Sequence, residues 1–218
     1  MFVITADQID SRHDHDRAGE MIAQLVGQYA DAFALPPDQT SGDEIQLLVP
    51  RAADALALVL DLHRSGFWTI GLGVGDVRTP LPSSTRQATG GAFIGAREAV
   101  TRAKRTETRF GLEHGGPPGD ESAVAEATAD TAGLVPDSPA EEVEALISLL
   151  LTIRQRRSAE GWEAVDLLEQ GQAQTEIART LGVSTAAVSQ RLKSAMWKVE
   201  SAARPALVRL LDNLDLDS

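Results

Sequence analysis

The chain has no cysteine among its 218 residues. Disulfides, thiolate metal sites and cysteine nucleophiles are thereby excluded, and the composition fits a reducing compartment. Aromatic residues make up only 4%, so packed cores must be built from Leu, Val, Ile and Ala. The apolar fraction of 43% is enough for that. No run of about 18 apolar residues occurs, and no membrane-spanning helix is predicted. Met1-Phe2-Val3-Ile4-Thr5-Ala6-Asp7 has neither the basic flank nor the apolar length of a signal peptide. The expectation is a soluble, cytoplasmic protein with no membrane partner.

Positive charge is also missing from one long stretch, since residues 110–153 contain no Lys or Arg. The formal net charge of -12 is spread unevenly. Residues 1–140 carry 11 basic and 20 acidic side chains, a net of -9, whereas residues 154–209 carry 9 basic and 6 acidic, a net of +3. The acidic body opposes non-specific polyanion binding, which leaves specific contacts to decide any affinity for DNA.

Gly115-Gly116-Pro117-Pro118-Gly119-Asp120 and Val135-Pro136-Asp137-Ser138-Pro139 are strong breakers. They set the expected organisation: a first domain over residues 1–112, an acidic Gly/Pro-rich linker over 113–138 with a short helix at 121–131, and a helical domain over 139–218. The first domain alternates strand-like and helix-like segments. Strands are expected at 2–6, 44–49, 69–74 and 109–112, and helices at 16–33, 51–63 and 91–105. This order fits a ferredoxin-like antiparallel sheet or a parallel doubly wound one. Residues 35–40, with Pro36 and Pro37, read as a poor strand. The second domain reads as helices at 141–157, 159–170, 174–181, 184–198 and 201–214.

Asp7 stands where the first strand ends, and Asp43 and Glu44 stand where a turn feeds the next. If those strands are neighbours, the carboxylates can approach one divalent cation. The turn after Asp7 offers backbone N–H groups and a guanidinium for phosphate.

Four segments occur in order: Asp7-Gln8-Ile9-Asp10-Ser11-Arg12, Gly42-Asp43-Glu44-Ile45-Gln46, Ile70-Gly71-Leu72-Gly73-Val74-Gly75-Asp76-Val77 and Gly91-Ala92-Phe93-Ile94-Gly95-Ala96-Arg97-Glu98-Ala99. Together they resemble the SatD family. Their arrangement is similar to the palm domains of nucleotidyl cyclases and GGDEF proteins. The resemblance implies an α+β fold, a ferredoxin-like palm of βαββαβ type followed by an all-α helix-turn-helix domain. It implies Asp7, Asp43 and Glu44 as metal carboxylates, with the Gln8 carbonyl as a further ligand. It places Ile9, Asp10, Ser11 and Arg12 against the phosphates of a nucleotide, with Lys104 or Arg105 within reach. The implied cofactor is Mg²⁺ with a purine nucleotide. Phe93 stands four residues before Arg97, where cyclases carry an Asn. The turn begins with Ser41 rather than glycine. Both departures favour ligand binding over turnover.

Gly71-Leu72-Gly73-Val74-Gly75 superficially matches a dinucleotide-binding turn, but Asp76-Val77-Arg78-Thr79-Pro80 follows instead of a helix. These glycines read as strand packing or close backbone approach. Arg12-His13-Asp14-His15-Asp16 reads as a solvated face, and the four histidines give no fixed catalytic base.

Gln174-Thr175-Glu176-Ile177-Ala178-Arg179-Thr180-Leu181-Gly182-Val183-Ser184 reads as the first helix and turn of a helix-turn-helix. Ala178 is small where two helices must meet, Gly182 permits the turn, and Ser184 caps the next helix. That helix presents Ser184, Thr185, Ala186, Ala187, Gln190, Arg191 and Lys193, with Gln190 and Arg191 suited to base edges and Lys193 and Lys198 to phosphates. The segment is similar to the helix-turn-helix of sigma-factor region four. A homodimer on two half-sites is expected, with Leu207, Leu210, Leu211, Leu214 and the apolar face of 143–153 serving as dimer surface or internal core. The expected function is a DNA-binding transcription regulator whose first domain binds a nucleotide. The rivals are a metal-dependent nucleotidyl cyclase or polymerase, and a ligand-free dimerisation scaffold.

Overall fold

The computed structural model describes residues 1–11, 15–40, 42–115 and 138–216. Arg12, Ser41, most of the expected linker and its short helix lie outside the described residues. The chain divides into two compact units, Met1–Ser148 with Leu207–Ser218, and Leu149–Ala206.

The first unit is α+β. Its elements are β1 (Phe2–Gln8), α1 (Ala18–Gln28), β2 (Asp38–Thr40), β3 (Glu44–Val49), α2 (Ala52–Ser65), β4 (Trp68–Gly75), a 3-10 turn at Thr85–Gln87, α3 (Gly91–Ala103) and β5 (Phe110–Gly115). One sheet runs in the order β2-β3-β1-β4-β5. Among the first four strands each is antiparallel to its neighbour in the sheet, and β5 lies parallel to β4. The sheet is therefore mixed and not wholly antiparallel. The reason is the α3 crossover, which carries the chain back along one face and delivers β5 in the same direction as β4.

Residues 38–40 do form a strand, contrary to the sequence reading. Pro36 and Pro37 stop short of it, and β2 is an edge strand needing only one row of partners. The Thr85 hydroxyl donates to the Pro36 carbonyl at 2.7 Å and holds the approach. Helix α1 ends at Gln28, five residues before the expected end at 33. There the chain turns, burying Ala32, and the Ala34 N–H bonds the Leu48 carbonyl, which brings it to the sheet.

Alternation on β4 explains how the layers meet. Trp68, Ile70, Leu72 and Val74 fill one face and are buried. Gly71 and Gly73 lie on the other, directly under α3. A Cβ on Gly73 would sit 2.0 Å from the Ala92 carbonyl oxygen, and one on Gly71 would sit 2.3 Å from that of Ala96. Ala92 and Ala96 complete the fit, one turn apart on α3. Gly111 of β5 makes the same kind of approach to Ala99. The glycine run is thus a docking strip for a helix backbone, as the close-approach reading expected.

Helix α4 (Pro139–Gln155) and helix α8 (Trp197–Leu216) contribute residues to both units. Glu144 of α4 accepts the Leu112 N–H of β5 at 2.6 Å and pairs with Arg102 at 2.6 Å. These bonds cover an otherwise open sheet edge. Leu207, Leu211 and Leu214 are buried within the chain itself, as are Val143, Ile147 and Leu151. Leu146 and Leu149 face outward.

The second unit holds α5 (Ala159–Glu169), α6 (Gln174–Leu181) and α7 (Thr185–Ser194). Helix α7 ends four residues earlier than the sequence suggests, and α8 begins at Trp197. The break lies at Met196, whose φ of 56° is left-handed. Arg157 donates twice to the Ala195 carbonyl, at 3.1 and 2.8 Å, and so satisfies a carbonyl at the helix end. No described helix is long and apolar enough to cross a membrane.

Candidate functional site

On β1 and β3, Asp7 and Glu44 are direct cross-strand partners. Strand alternation puts them on the α3 face, in one row with Thr5 and Gln46 and then with Val3 and Leu48, which pack against Ala92, Phe93 and Ala96. The two strands are therefore neighbours, the condition on which the sequence reading rested. Each carboxylate nevertheless has its own partner. Lys104 Nζ lies 2.5 Å from Asp7 Oδ2. The Ser11 hydroxyl donates to Asp43 Oδ2 at 2.6 Å. The Thr40 hydroxyl donates to Glu44 Oε1, and Gln46 Nε2 approaches the same oxygen at 3.4 Å. Among the described residues, no group of three His, Cys, Asp or Glu side chains is placed to hold a metal ion. In this arrangement Asp7, Asp43 and Glu44 do not fit a shared divalent cation.

Among the described residues, several donors of the turn after β1 are engaged in the same way. The Gln8 N–H bonds the Asp43 carbonyl at 3.1 Å, and the Ile9 N–H bonds the Phe67 carbonyl at 2.8 Å. The buried Gln8 side chain donates to the His15 carbonyl at 2.9 Å and accepts the Arg17 N–H at 3.1 Å. Asp10 has a φ of 57°, which makes the turn tight. Arg12 lies outside the described residues. Lys104, expected beside the phosphates, sits on Asp7 instead.

A second feature occupies the same sheet face. A cavity of about 360 Å³ is lined by Gln46, Arg78, Arg86, Gly90, Phe93 and Arg97, among others. Arg86 forms a two-pronged pair with Asp38 of β2, with Nε at 2.6 Å. Its hydrogen bonds hold the Asp38 carboxyl below the usual carboxylate range. Above the cavity, α3 starts at Gly91, whose N–H donates to Asp76 Oδ1 at 2.8 Å.

In the second unit, α6 and α7 form a helix pair around Ile177, Ala178, Val188 and Leu192, closed by Ala164 and Val165 of α5. Gly182 follows α6 with a φ of 65°, and the Val183 N–H bonds the Ala178 carbonyl at 3.0 Å. Ser184 Oγ accepts the Ala187 N–H at 3.1 Å and caps α7. Glu176 accepts the Ala173 N–H at 2.8 Å at the start of α6. Of the expected DNA contacts, Ser184, Thr185, Ala186, Gln190 and Lys193 are exposed. Ala187 is half-buried. Arg191 is half-buried too and lies 3.3 Å from Glu163 of α5.

Comparison with protein-family models, curated proteins and solved structures returned no match.

The arginine cavity had no sequence signal. Arg78 and Arg86 lie in an irregular Pro/Ser-rich segment, and only the return of that segment over the sheet places them beside Arg97. Ser189, not among the expected contacts, is exposed on α7 between Ala186 and Lys193 and shares their outward side.

Behind α7, a buried charge cluster fixes the helices of the second unit. Glu200 pairs with Arg154 and Arg157, and all three side chains are almost fully buried. The Trp162 ring lies 4.2 Å from the Arg157 guanidinium. Arg204 joins through Glu200 Oε1 at 2.6 Å. Burial pushes the Glu200 carboxyl up, but Arg154, Arg157 and Arg204 together outweigh it and hold the group below its usual range. Burial also depresses the Arg154 guanidinium despite Glu200. Its starting value is so high that it stays charged.

Proposed function

We propose that this protein is a DNA-binding transcription regulator in which α6 and α7 act as a helix-turn-helix and the α+β unit binds a nucleotide. The observation that carries the reading is α7 itself. Its inner side is sealed by Val188 and Leu192, while its first turn and outer side offer short or polar side chains to solvent. A helix capped by Ser184 and led by Thr185 and Ala186 is slim enough at its start to enter a major groove. Gln190 and Lys193 then point outward for a base edge and a phosphate. In this reading the protein acts in the cytoplasm as a homodimer on two half-sites, the usual geometry for such modules.

For the first unit, the strand order β2-β3-β1-β4, with two crossovers that each skip one strand, supports a ferredoxin-like palm with an added parallel strand. The polar row of Asp7, Thr5, Glu44 and Gln46 supports this face as the one that would take the ligand. The cyclase alternative needs carboxylates that converge. Here Lys104, Ser11 and Thr40 each engage a different one, so binding is favoured over turnover. Mg²⁺ belongs to the proposal only as the companion of the nucleotide's phosphates.

The test is binding of the full chain to DNA from upstream of its own gene at fixed salt, with and without purine nucleotides and Mg²⁺, against an unrelated fragment. Preference for the upstream fragment that changes with one nucleotide is expected. Equal binding to both fragments would remove the regulator reading. Conversion of a nucleoside triphosphate, abolished in Asp7→Asn, would establish the enzyme instead.

A further inference from the structure

We propose that the cavity bounded by Gln46, Arg78, Arg86, Phe93 and Arg97 is the seat of a small phosphorylated ligand. Its phosphate would be held by Arg78 and Arg97, not by the turn after β1. The proposal deepens the nucleotide reading of the same sheet face and rests on it for the nucleoside part of the ligand.

Three observations converge on this cavity. The first is charge. Three guanidinium groups line one concavity, and no described carboxylate lines it. Residues 1–140 as a whole are strongly acidic, so three arginines gathered here run against the background of the chain. Arg86 is already paired with Asp38. No hydrogen bond or ion pair joins the side chains of Arg78 or Arg97 to any described residue. Guanidinium groups bind phosphate oxygens through two parallel N–H bonds, and such charge-assisted bonds are roughly twice as strong as neutral ones.

The second observation is shape and polarity. At about 360 Å³ the cavity falls at the low end of small-molecule sites, which suits a mononucleotide better than a dinucleotide. Phe93 and Ile94 give one apolar wall, and Ile94 is 52% exposed on it. The Gln46 amide supplies a polar floor.

The third observation concerns the alternative site. Among the described donors of the β1 turn, the Gln8 and Ile9 N–H groups are spent on the Asp43 and Phe67 carbonyls, the Gln8 amide on the His15 carbonyl and the Ser11 hydroxyl on the Asp43 carboxylate. Lys104 is spent on Asp7. A phosphate held by Gln8, Ile9, Ser11 or Lys104 must break existing bonds, whereas one between Arg78 and Arg97 breaks none.

The experiment is calorimetric titration of the full chain with AMP, ATP and inorganic pyrophosphate, comparing wild type with Arg78→Ala/Arg97→Ala and with Lys104→Ala. All three residues are exposed, and circular dichroism verifies that the variants fold. The expected result is affinity at least about tenfold weaker in the double arginine variant and unchanged in Lys104→Ala. Full affinity in the double variant, with loss in Lys104→Ala, would overturn the site while leaving the nucleotide reading intact. Pyrophosphate binding that needs the two arginines, without any binding of AMP or ATP, would support the anion site and remove the nucleotide reading alone. No binding of any probe would remove both.

Discussion

Lys104, at the end of α3, holds Asp7, at the end of β1, by an ion pair of 2.5 Å. The pair sits on the face where the sequence suggests a metal, and it puts an ammonium where a cation would go. Lys104→Ala leaves Asp7 and Glu44 facing each other across two paired strands with no cation between them. Binding of Mn²⁺, followed by its paramagnetic effect on the NMR spectrum, should be tighter in Lys104→Ala than in wild type. The fold itself should be barely affected, because a partly exposed pair contributes only about 0–1 kcal/mol. Equal Mn²⁺ affinity in the two proteins would show that Lys104 does not stand in for a metal.

The buried Glu200 cluster should dominate the stability of the second unit. Glu200→Gln leaves Arg154 and Arg157 charged, buried and without their counter-charge. Loss of one partner from such a group costs roughly 3–5 kcal/mol. Urea unfolding followed by Trp162 and Trp197 fluorescence should report the loss, and Asp212→Asn on the exposed side of α8 serves as the control.

The same cluster sets an acid limit. The folded-state pKa of Glu200 lies below its unfolded value, so its contribution is fully present above the unfolded value, about 4.3, and is lost as pH falls through the folded one. Stability of the second unit should hold from neutrality to about pH 5 and then decline. Glu200→Gln should flatten that decline. An identical acid profile in wild type and variant would remove Glu200 as its cause.

On α7, Arg191 is not simply available for DNA, because Glu163 of α5 lies 3.3 Å away. If α7 reads DNA as proposed, Glu163→Gln frees the guanidinium and removes a negative charge beside it, so affinity for the cognate site should rise. Gln190→Ala should weaken specific binding by about 1–3 kcal/mol if its amide reads a base. Lys193→Ala should weaken specific and non-specific binding alike and lower the salt slope by about one. Gel-shift titrations over a salt series check all three.

The glycine strip gives a purely structural test. Gly73→Ala drives a methyl group to 2.0 Å from a backbone carbonyl of α3, and neither strand nor helix can yield cheaply. The cost should exceed the roughly 1–3 kcal/mol of ordinary overpacking. Gly42→Ala is the contrast. A Cβ there meets nothing within 4 Å, so its cost comes only from a φ of 83°.

Much of this protein is legible locally because the information is local. Alternation marks Ile70, Leu72 and Val74 as one face of a strand, and the glycines between them as the other. Ser184 caps α7, and Gly182 turns the chain before it, since a cap and a left-handed glycine act within a few residues. The helical pattern of 174–195 likewise needs no distant partner to be read. Where the outcome depends on residues far apart in sequence, the sequence alone is silent or misleading. Residues 38–40 become a strand because Arg86 and β3 receive them. Helix α7 stops at Ser194, where Arg157, in the connection between α4 and α5, takes the Ala195 carbonyl. Asp7 is engaged because α3 ends beside it and delivers Lys104. Arg78, Arg86 and Arg97 share a cavity only because a loop folds back over the sheet. Composition, periodicity and capping determine most of the elements, with the edge strand β2 left to its tertiary partners. Tertiary packing alone decides which charges meet, because a charge's partner is chosen by distance in space and no local pattern encodes it.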